Sequence, residues 1–265
     1  MDRSLIREQM PALVAPHVPR NARSFTFNVY DSTPQQSILG VALDPAPFEG
    51  KAVVITDELI IVKLKRTQFA VLDRNLVATV PGEGDKVLVT PYARRHFDGQ
   101  RVGTPREHTE HMADGTPYTV KSVVLGEATS KLPVPAPQCP ELADLVEQLE
   151  VLPAPDGHRR IAHLLVDAGA RDFSIVDPEP HNIIATPPAI SFTVTTEKFA
   201  GQVTISYDRG GDVYVINLRR DGALIKSVDE VYFDDLGQTL DDLIDDRSWR
   251  HIGIDVLGRP RRSLH

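Results

Sequence analysis

Short apolar runs bounded by turn-forming residues fill the chain from Ser24 to about residue 130. The runs are SFTFNVY, QSILGVAL, KAVVIT, LIIVKLK, FAVLD, KVLVTPYA and YTVKSVVL. Turn formers such as Pro81-Gly82-Glu83-Gly84 and Asp98-Gly99 stand among them, and no helical periodicity separates them. Closely spaced strands of this kind predict a small antiparallel β-barrel over residues 24–130, because closure removes exposed sheet edges.

Two segments beside the predicted barrel lack its pattern. Residues 1–23 carry three prolines, four scattered arginines and little periodicity. They predict a flexible N-terminal arm with at most one helical turn near Leu5–Gln9. Residues 131–140 hold four prolines in ten positions. Because proline fixes φ and removes an amide donor, this stretch predicts a stiff linker and a domain boundary.

From residue 141 onward the apolar spacing is that of helices and of alternating strands. Spacings of three and four residues predict one helix after Pro140, a second over about residues 157–168, and a third capped by Asp234. Alternating strands lie between the second and third helices, and a last strand falls at residues 252–256. The predicted fold is mainly β plus α+β. A small antiparallel β-barrel module is followed by an α+β sandwich module at residues 141–258 and a basic tail at residues 259–265.

Composition sets limits on location and partners. The 265 residues are 41% hydrophobic, which is enough for one large core or two small ones, and the single cysteine, Cys139, cannot form an internal disulfide. No apolar run approaches the roughly 20 residues that a membrane helix needs. Arg3, Arg7 and Glu8 interrupt any secretory signal. We therefore expect a cytoplasmic protein with no membrane partner.

The formal net charge of −8 is unevenly divided, at +1 up to Lys131 and −9 from Leu132 onward. Basic residues of the first module gather near strand ends and predict contacts with nucleic-acid phosphates. The candidate nucleic-acid-binding residues are Lys63, Lys65, Arg66, Arg94, Arg95, Arg101 and Arg106. Aromatic residues for base stacking are few in this region, and a solvated barrel rim is the alternative interpretation.

The third predicted helix and its ends are acidic. Its apolar residues share one face, so its carboxylates are expected on the remaining, solvated surface. The predicted protein-partner surface consists of Asp235, Asp241, Asp242, Asp245 and Asp246. Those at the C-terminal end oppose the helix dipole, which favours a role in binding over one in stability. A solvated acidic face is the alternative, and the oligomeric state is left open.

Two histidines offer a different chemistry. His108 and His111 form a His-x-x-His pair that could ligate zinc if a helix or turn brought both imidazoles together. Their surroundings are polar, so we expect a surface loop with no metal or cofactor. On the second helix, His163 is expected to be exposed. The sequence contains no nucleophile elbow, phosphate-binding glycine loop or dinucleotide fingerprint, which disfavours an enzyme.

The stretch from Phe48 to Val102 has a recognisable order of motifs. Phe48 and Gly50 open it, followed by two β runs, a turn with lysine and arginine, Val80-Pro81-x-x-Gly84, a Val-x-Val run and a basic Asp-Gly turn. In this order it resembles the KfrB domain of conjugative plasmids and related mobile elements. The resemblance implies a role in plasmid maintenance, conjugation or protection of incoming DNA, and it supplies no active-site residues.

The expected function is therefore that of a non-enzymatic accessory protein of a mobile genetic element, such as a plasmid or phage. It would serve maintenance, transfer or counter-defence by binding a host or plasmid protein or a nucleic acid. The alternative is a metal-dependent hydrolase or nuclease that uses His108 and His111.

Overall fold

The computed structural model describes residues 1–35, 43–122, 129–179 and 181–258. The chain forms two compact units: unit 1 comprises residues 1–93 and 249–265, and unit 2 comprises residues 94–248. The helices are α1 (Arg3–Val14), α2 (Pro140–Val151), α3 (Ile161–Asp167) and α4 (Leu236–Ile244). No helix in the described part of the chain is long and apolar enough to cross a membrane.

The strands account for most of the regular structure. They are β1 (Thr26–Tyr30), β2 (Phe48–Ile55), β3 (Leu59–Lys65), β4 (Gln68–Asp73), β5 (Lys86–Thr90), β6 (Arg106–His111), β7 (Pro117–Ser122), β8 (Arg171–Val176), β9 (Ala189–Thr195), β10 (Ala200–Asp208), β11 (Val213–Arg220), β12 (Ala223–Val231) and β13 (Gly253–Gly258). The fold is mainly β with some helices, as the sequence predicts. The predicted run QSILGVAL falls largely on residues 36–42, which lie outside the described residues.

Unit 1 is built on one sheet of six strands in the order β1-β4-β3-β2-β5-β13. β1 runs parallel to β4, and the other neighbours are antiparallel. Within the described residues β1 and β13 do not pair, so the predicted closed barrel is wrong. A single bridge from Val77 to Ile252 joins the turn after β4 to the segment before β13. The alternating pattern of short strands specifies a two-sided sheet, but it does not specify whether the first and last strands meet.

Both faces of this sheet bury apolar side chains. One face carries Ile60, Val62, Ala70, Leu72, Val87 and Val89, joined by Ile252 and Ile254.

Gly50 allows the close approach of β2 and β3. A Cβ at Gly50 would lie 2.5 Å from Val62 Cγ1 and 2.7 Å from the backbone oxygen of Lys63. Only glycine fits at this contact between β2 and β3, since the backbone oxygen cannot rotate away.

The N-terminal segment is a helix instead of the expected flexible arm. Asp2 caps α1 by accepting hydrogen bonds from the backbone N–H groups of Ser4 and Leu5, at 2.8 and 3.2 Å. The buried side chains of α1 recur every four residues and cover the other face of the sheet. The cluster consists of Ile6, Met10, Val14, Leu59, Ile61, Phe69 and Val71. Pro11 and the scattered arginines concealed this spacing in the sequence.

Unit 2 contains a five-stranded antiparallel sheet in the order β12-β11-β10-β9-β8. Alternate residues of β9, β10 and β11 point to one face and form a single buried cluster with α2, α3 and α4. The opposite face is polar, and Ser191 Oγ lies 2.8 Å from Thr204 Oγ1 there. Helices therefore cover one face of the sheet, in the α+β arrangement that the sequence predicts.

A separate two-stranded ribbon, β6 and β7, precedes this layer in the chain. The sequence predicts a polar surface loop around residues 106–111, whereas the structure has a strand there. Pairs across the ribbon compensate for the lack of apolar residues, since Glu107 lies opposite Lys121 and accepts from it at 2.6 Å. The ribbon is largely exposed, as its polar sequence requires.

The last strand lies in a different unit from the one that the sequence predicts. The α+β module is predicted to extend to residue 258, but β13 pairs with β5 and belongs to unit 1. Its apolar residues Ile252 and Ile254 fit either sheet by pattern, so only the tertiary pairing distinguishes them. The predicted basic tail at residues 259–265 lies outside the described residues.

The proline-rich stretch 131–140 is part of unit 2 and not a free linker. Glu150 of α2 accepts hydrogen bonds from Leu132 N at 2.9 Å and Lys131 Nζ at 2.5 Å. Asp177 accepts from the backbone N–H groups of Gln138 and Cys139. The prolines do make the segment extended, but two carboxylates satisfy donors of its backbone and hold it against the unit.

Candidate functional site

Buried charges gather beside the start of α3 in unit 2. Arg159, whose side chain is 0% exposed, donates from Nε to Asp156 Oδ2 and from Nη1 to Asp167 Oδ2, both at 2.8 Å. Its Nη2 donates to Asp245 Oδ2 at the end of α4. One guanidinium therefore joins the loop before α3, α3 itself and α4.

A fourth carboxylate, Asp241, lies one helical turn before Asp245. Its side chain is 0% exposed, and its Oδ2 accepts from Arg247 Nη2 at 2.5 Å. Its Oδ1 lies 4.0 Å from Arg159 Nη2 and finds no N–H or O–H donor among the described residues. Asp245 Oδ2 bonds to the same Nη2, so the two carboxyl groups lie side by side at one guanidinium nitrogen.

The two carboxyl groups on α4 have opposite pKa shifts. Burial and the contact with Asp245 raise the pKa of Asp241 to about 6, against the opposing charges of Arg247 and Arg159. Burial alone would also raise the pKa of Asp245, but Arg159 and the backbone N–H of Arg247 outweigh it and lower that pKa. Of the two carboxyl groups, Asp241 therefore binds a proton more tightly, as is usual when two carboxyl groups share a site.

These ion pairs link the loop before α3, α3 and α4 to one another. Breaking a buried ion pair on one side leaves uncompensated charge, which is strongly destabilising. We name this group the Arg159 cluster: Arg159, Arg247, Asp156, Asp167, Asp241 and Asp245.

The structure corrects the predicted protein-partner surface on α4. Asp241 and Asp245 are buried, because they turn toward Arg159, which is distant in sequence. Asp246 is half-buried and accepts from the backbone N–H groups of Glu197 and Ser248. Asp235 and Asp242 remain exposed. The apolar stripe of α4 located its buried face correctly but gave no sign that charged residues also point inward.

The histidines do not form the site that the alternative function requires. His108 and His111 lie three residues apart on β6, so they point to opposite faces of the ribbon. His108 Nε2 lies 2.9 Å from Glu110 Oε1. The described residues contain no group of three or more His, Cys, Asp or Glu placed to hold a metal ion. His163 is buried and not exposed as predicted, and its Nδ1 accepts from Arg160 N.

The predicted basic patch is divided between the two units. Arg94, Arg95, Arg101 and Arg106 belong to unit 2. Arg94 is 4% exposed and donates to the backbone oxygen of His158, which is a structural role. Arg95 and Arg101 face each other across a small turn. Arg106 begins β6, and its side chain lies outside the described part of the chain.

In unit 1, three lysines stand side by side across the sheet. Lys51 of β2 lies opposite Lys63 of β3 on one side and opposite Lys86 of β5 on the other. Residues directly opposite on neighbouring strands share a face, and strands lie about 4.8 Å apart. Lys63 Nζ donates to the backbone oxygen of His17 at 2.7 Å, and Lys86 pairs with Glu49 at 2.6 Å. Lys51 is exposed and makes no ion pair with any described residue.

The turn between β3 and β4 extends this row. Lys65 and Arg66 are exposed, and Arg66 Nη2 donates to Asn21 Oδ1 at 2.6 Å, which brings the segment after α1 alongside the turn. That segment carries the exposed Arg20 and Arg23. We name the set the basic strip: Arg20, Arg23, Lys51, Lys63, Lys65 and Arg66. None of its members has an ion-pair partner in the described ranges.

Sequence reasoning found half of the basic strip. Lys63, Lys65 and Arg66 were candidates, but Lys51 joins them only through strand register. The sequence does contain a signal for Arg20 and Arg23. Residues 17–30 and 59–71 contain five lysines and arginines and no carboxylate, in a chain whose net charge is negative.

Comparison with known proteins adds no relative. No family model matches the chain, and no curated protein or solved structure matches it.

Proposed function

We propose that this protein is a non-enzymatic accessory protein of a mobile genetic element that binds nucleic acid through the basic strip of unit 1. The observation that carries the proposal is the direct opposition of Lys51 and Lys63 on neighbouring strands, continued by Lys65 and Arg66. Like charges opposite each other weaken a sheet, so their placement favours a polyanionic ligand that offsets the repulsion.

The chemistry of the strip favours the phosphate backbone over the bases. Exposed lysine and arginine side chains neutralise phosphates without discriminating sequence. The aromatic rings of this part of unit 1, Phe25 and Phe27, are half-buried and stack on each other, which leaves little surface for bases. We therefore expect binding that depends strongly on salt and weakly on sequence.

The mobile-element context rests on the resemblance of residues 48–102 to KfrB domains. Lys51, Lys63, Lys65 and Arg66 all fall inside that stretch, so the same segment supplies the resemblance and most of the strip. An accessory role in plasmid maintenance, transfer or counter-defence is compatible with backbone binding that does not select a sequence. A host or plasmid protein is a further partner under this proposal.

The test is binding of the full chain to a short DNA duplex, and to the single strand of the same sequence, by fluorescence anisotropy over a KCl series. The variant K51A/K65A/R66A should bind several-fold more weakly at low salt. Its plot of log affinity against log salt should be shallower by about one for each phosphate that is no longer neutralised. The control is K121A/R171A/R219A, which removes the same charge from exposed positions of unit 2 and should bind as the native chain does.

Two outcomes would reject the proposal. One is the absence of binding to either nucleic acid at low salt. The other is an equal loss of affinity in both triple variants, which would show that net charge alone controls the interaction. The hydrolase alternative predicts instead that purified chain cleaves a metal-supplemented DNA or phosphodiester substrate and that H108A/H111A stops the cleavage. The opposite orientation of the two imidazoles argues against that result.

A further inference from the structure

The Arg159 cluster places two buried carboxyl groups, Asp241 and Asp245, close together. Its six members comprise two cations and four carboxylates, and Lys198 adds a third cation by donating from Nζ to the backbone oxygen of Asp241 at 3.2 Å. Asp241 and Asp245 share Nη2 of Arg159, so a proton on one of them removes the repulsion between the two carboxyl groups. Between buried groups this repulsion is stronger than it is in water.

Four segments of unit 2 place charged groups around the C-terminal end of α4. Arg159 and Asp156 come from the loop before α3, and Asp167 comes from the end of α3. Lys198 comes from the turn between β9 and β10, and Arg247 follows α4. Asp241 and Asp245 then face each other at the C-terminal end of α4, where the helix dipole disfavours a second negative charge.

The same residues hold the backbone where the chain leaves α4. Asp245 N donates to the backbone oxygen of Asp241 at 3.1 Å, and Asp245 Oδ1 accepts from the backbone N–H of Arg247 at 2.7 Å. Arg247 adopts a positive φ of 68°, a conformation that a non-glycine residue keeps only when its surroundings hold it. The turn after α4 therefore depends on the side chains that share the proton.

We propose that the Asp241–Asp245 pair is a proton-operated latch for the C-terminal end of α4. With one proton on the pair, the two carboxyl groups do not repel each other and the turn through Arg247 is held closed. Loss of the proton leaves two buried carboxylates side by side, and their repulsion loosens the hydrogen bonds that Asp245 makes and accepts. The proton moves between Asp241 and solvent, and no covalent bond other than O–H changes. The raised pKa of Asp241 sets this transition between mildly acidic and neutral pH.

The latch is independent of the proposed nucleic-acid binding, since it lies wholly in unit 2 and uses none of the basic strip. Its experiment is amide hydrogen exchange of the full chain between pH 5 and pH 7.5, with rates corrected for intrinsic exchange. The protection factors of the Asp245 and Arg247 amides should fall about threefold to tenfold as pH rises through the pKa of Asp241. Amides of β10, in the centre of the five-stranded sheet of unit 2, should keep constant protection.

Two variants make the test specific. D241N cannot ionise, so its protection at Asp245 and Arg247 should not change with pH. D242N, at the adjacent exposed position whose carboxylate accepts from Gln238, should show the native fall. A titration of the Asp241 carboxyl carbon by NMR in the native chain gives a second measurement that needs no variant, and its midpoint should lie near 6.

Constant protection across this pH range in the native chain would overturn the latch. So would a carboxyl titration of Asp241 with a midpoint near 4, the ordinary range of an aspartate. A fall in protection that persists in D241N would assign the transition to a different group and reject the pair as its origin.

Discussion

The two units of this protein use charged residues in opposite ways. In unit 2 the Arg159 cluster pairs four buried or half-buried carboxylates with arginines, with distances of 2.8 Å or less for the pairs that hydrogen-bond. In unit 1 the basic strip sets Lys51 against Lys63 on adjacent strands, with no carboxylate to neutralise them in the part of the chain that the structure describes. In the first arrangement most charges pair with one another. The second leaves them available to a partner.

The difference shows why an excess of one charge sign in a sequence does not by itself mark a binding surface. The acidic end of α4 is dense in the sequence, yet two of its carboxylates are buried and pair with arginines. The six residues of the basic strip are scattered over three segments, yet the pairing of β2 with β3 and the contact of Arg66 with Asn21 bring these segments side by side. Function follows from the charges that remain unpaired after folding, and burial determines which these are.

The largest effect is expected from Arg159→Met. Methionine keeps the apolar stem and removes the charge that Asp156, Asp167 and Asp245 share, so unfolding should become easier by about 3–5 kcal/mol at neutral pH. Urea unfolding followed by circular dichroism measures the change. A loss below about 1 kcal/mol would mean that the cluster is not a buried structural unit, and the contrast between the two units would fail.

Gly50→Ala should have the next largest effect, because unit 1 depends on close backbone approach where unit 2 depends on ion pairs. The added Cβ meets the backbone oxygen of Lys63, which cannot move without separating β2 from β3. We expect a loss of about 2–3 kcal/mol in the free energy of unfolding. Gly99→Ala provides a control at a glycine with no atom within 4 Å of its Cβ position, and there the loss arises only from the positive φ of 82°.

A third prediction concerns pH. The pKa of Asp241 is raised on folding, so the folded state binds its proton more tightly than the unfolded state does. Stability from this group is fully present below the ordinary aspartate pKa and is lost as pH rises toward 6, by about 2 kcal/mol. The pKa values of Asp156 and Asp245 are lowered on folding. Their contribution to the free energy of unfolding is therefore lost in the opposite direction, as pH falls below the ordinary aspartate pKa.

Unfolding free energies measured from pH 3 to pH 8 should therefore pass through a maximum near pH 4–5 and decline toward pH 7. D241N should retain the acid limb and lack the decline above the maximum. If the native chain gains stability steadily up to pH 7, Asp241 is ionised without penalty and the assignment of the shared proton is wrong.

The smallest effect is expected from Lys51→Ala. This exposed lysine makes no ion pair with a described residue and faces two other lysines, so its removal should change stability by less than about 0.5 kcal/mol, with relief of repulsion favouring a slight gain. Thermal unfolding at low salt is the measurement. A loss of more than about 1 kcal/mol in the free energy of unfolding would show that Lys51 has a structural role, and it would weaken the case for a ligand.

The sequence by itself determined the elements whose apolar spacing is local. The stripes of α2 and α4, the alternation in β9 and β10, and the short strands β2 to β5 are all visible in it, because burial of one face imposes a period of 3.6 or 2. It also supplied half of the basic strip. It missed α1, since Pro11 and the arginines conceal its spacing, and it mistook the polar strand β6 for a loop.

Tertiary structure alone decided the features that depend on residues far apart in the chain. Pairing of β13 with β5 assigns the last strand to unit 1, and the register of β2 on β3 sets Lys51 beside Lys63. Contact between Arg159 and Asp245, 86 residues apart, turns an apparently solvated acidic helix end into a buried ion cluster. Periodicity reports which face of an element is buried, but it carries no information on which distant charge lies there, and that charge decides whether a carboxylate is satisfied or free to bind.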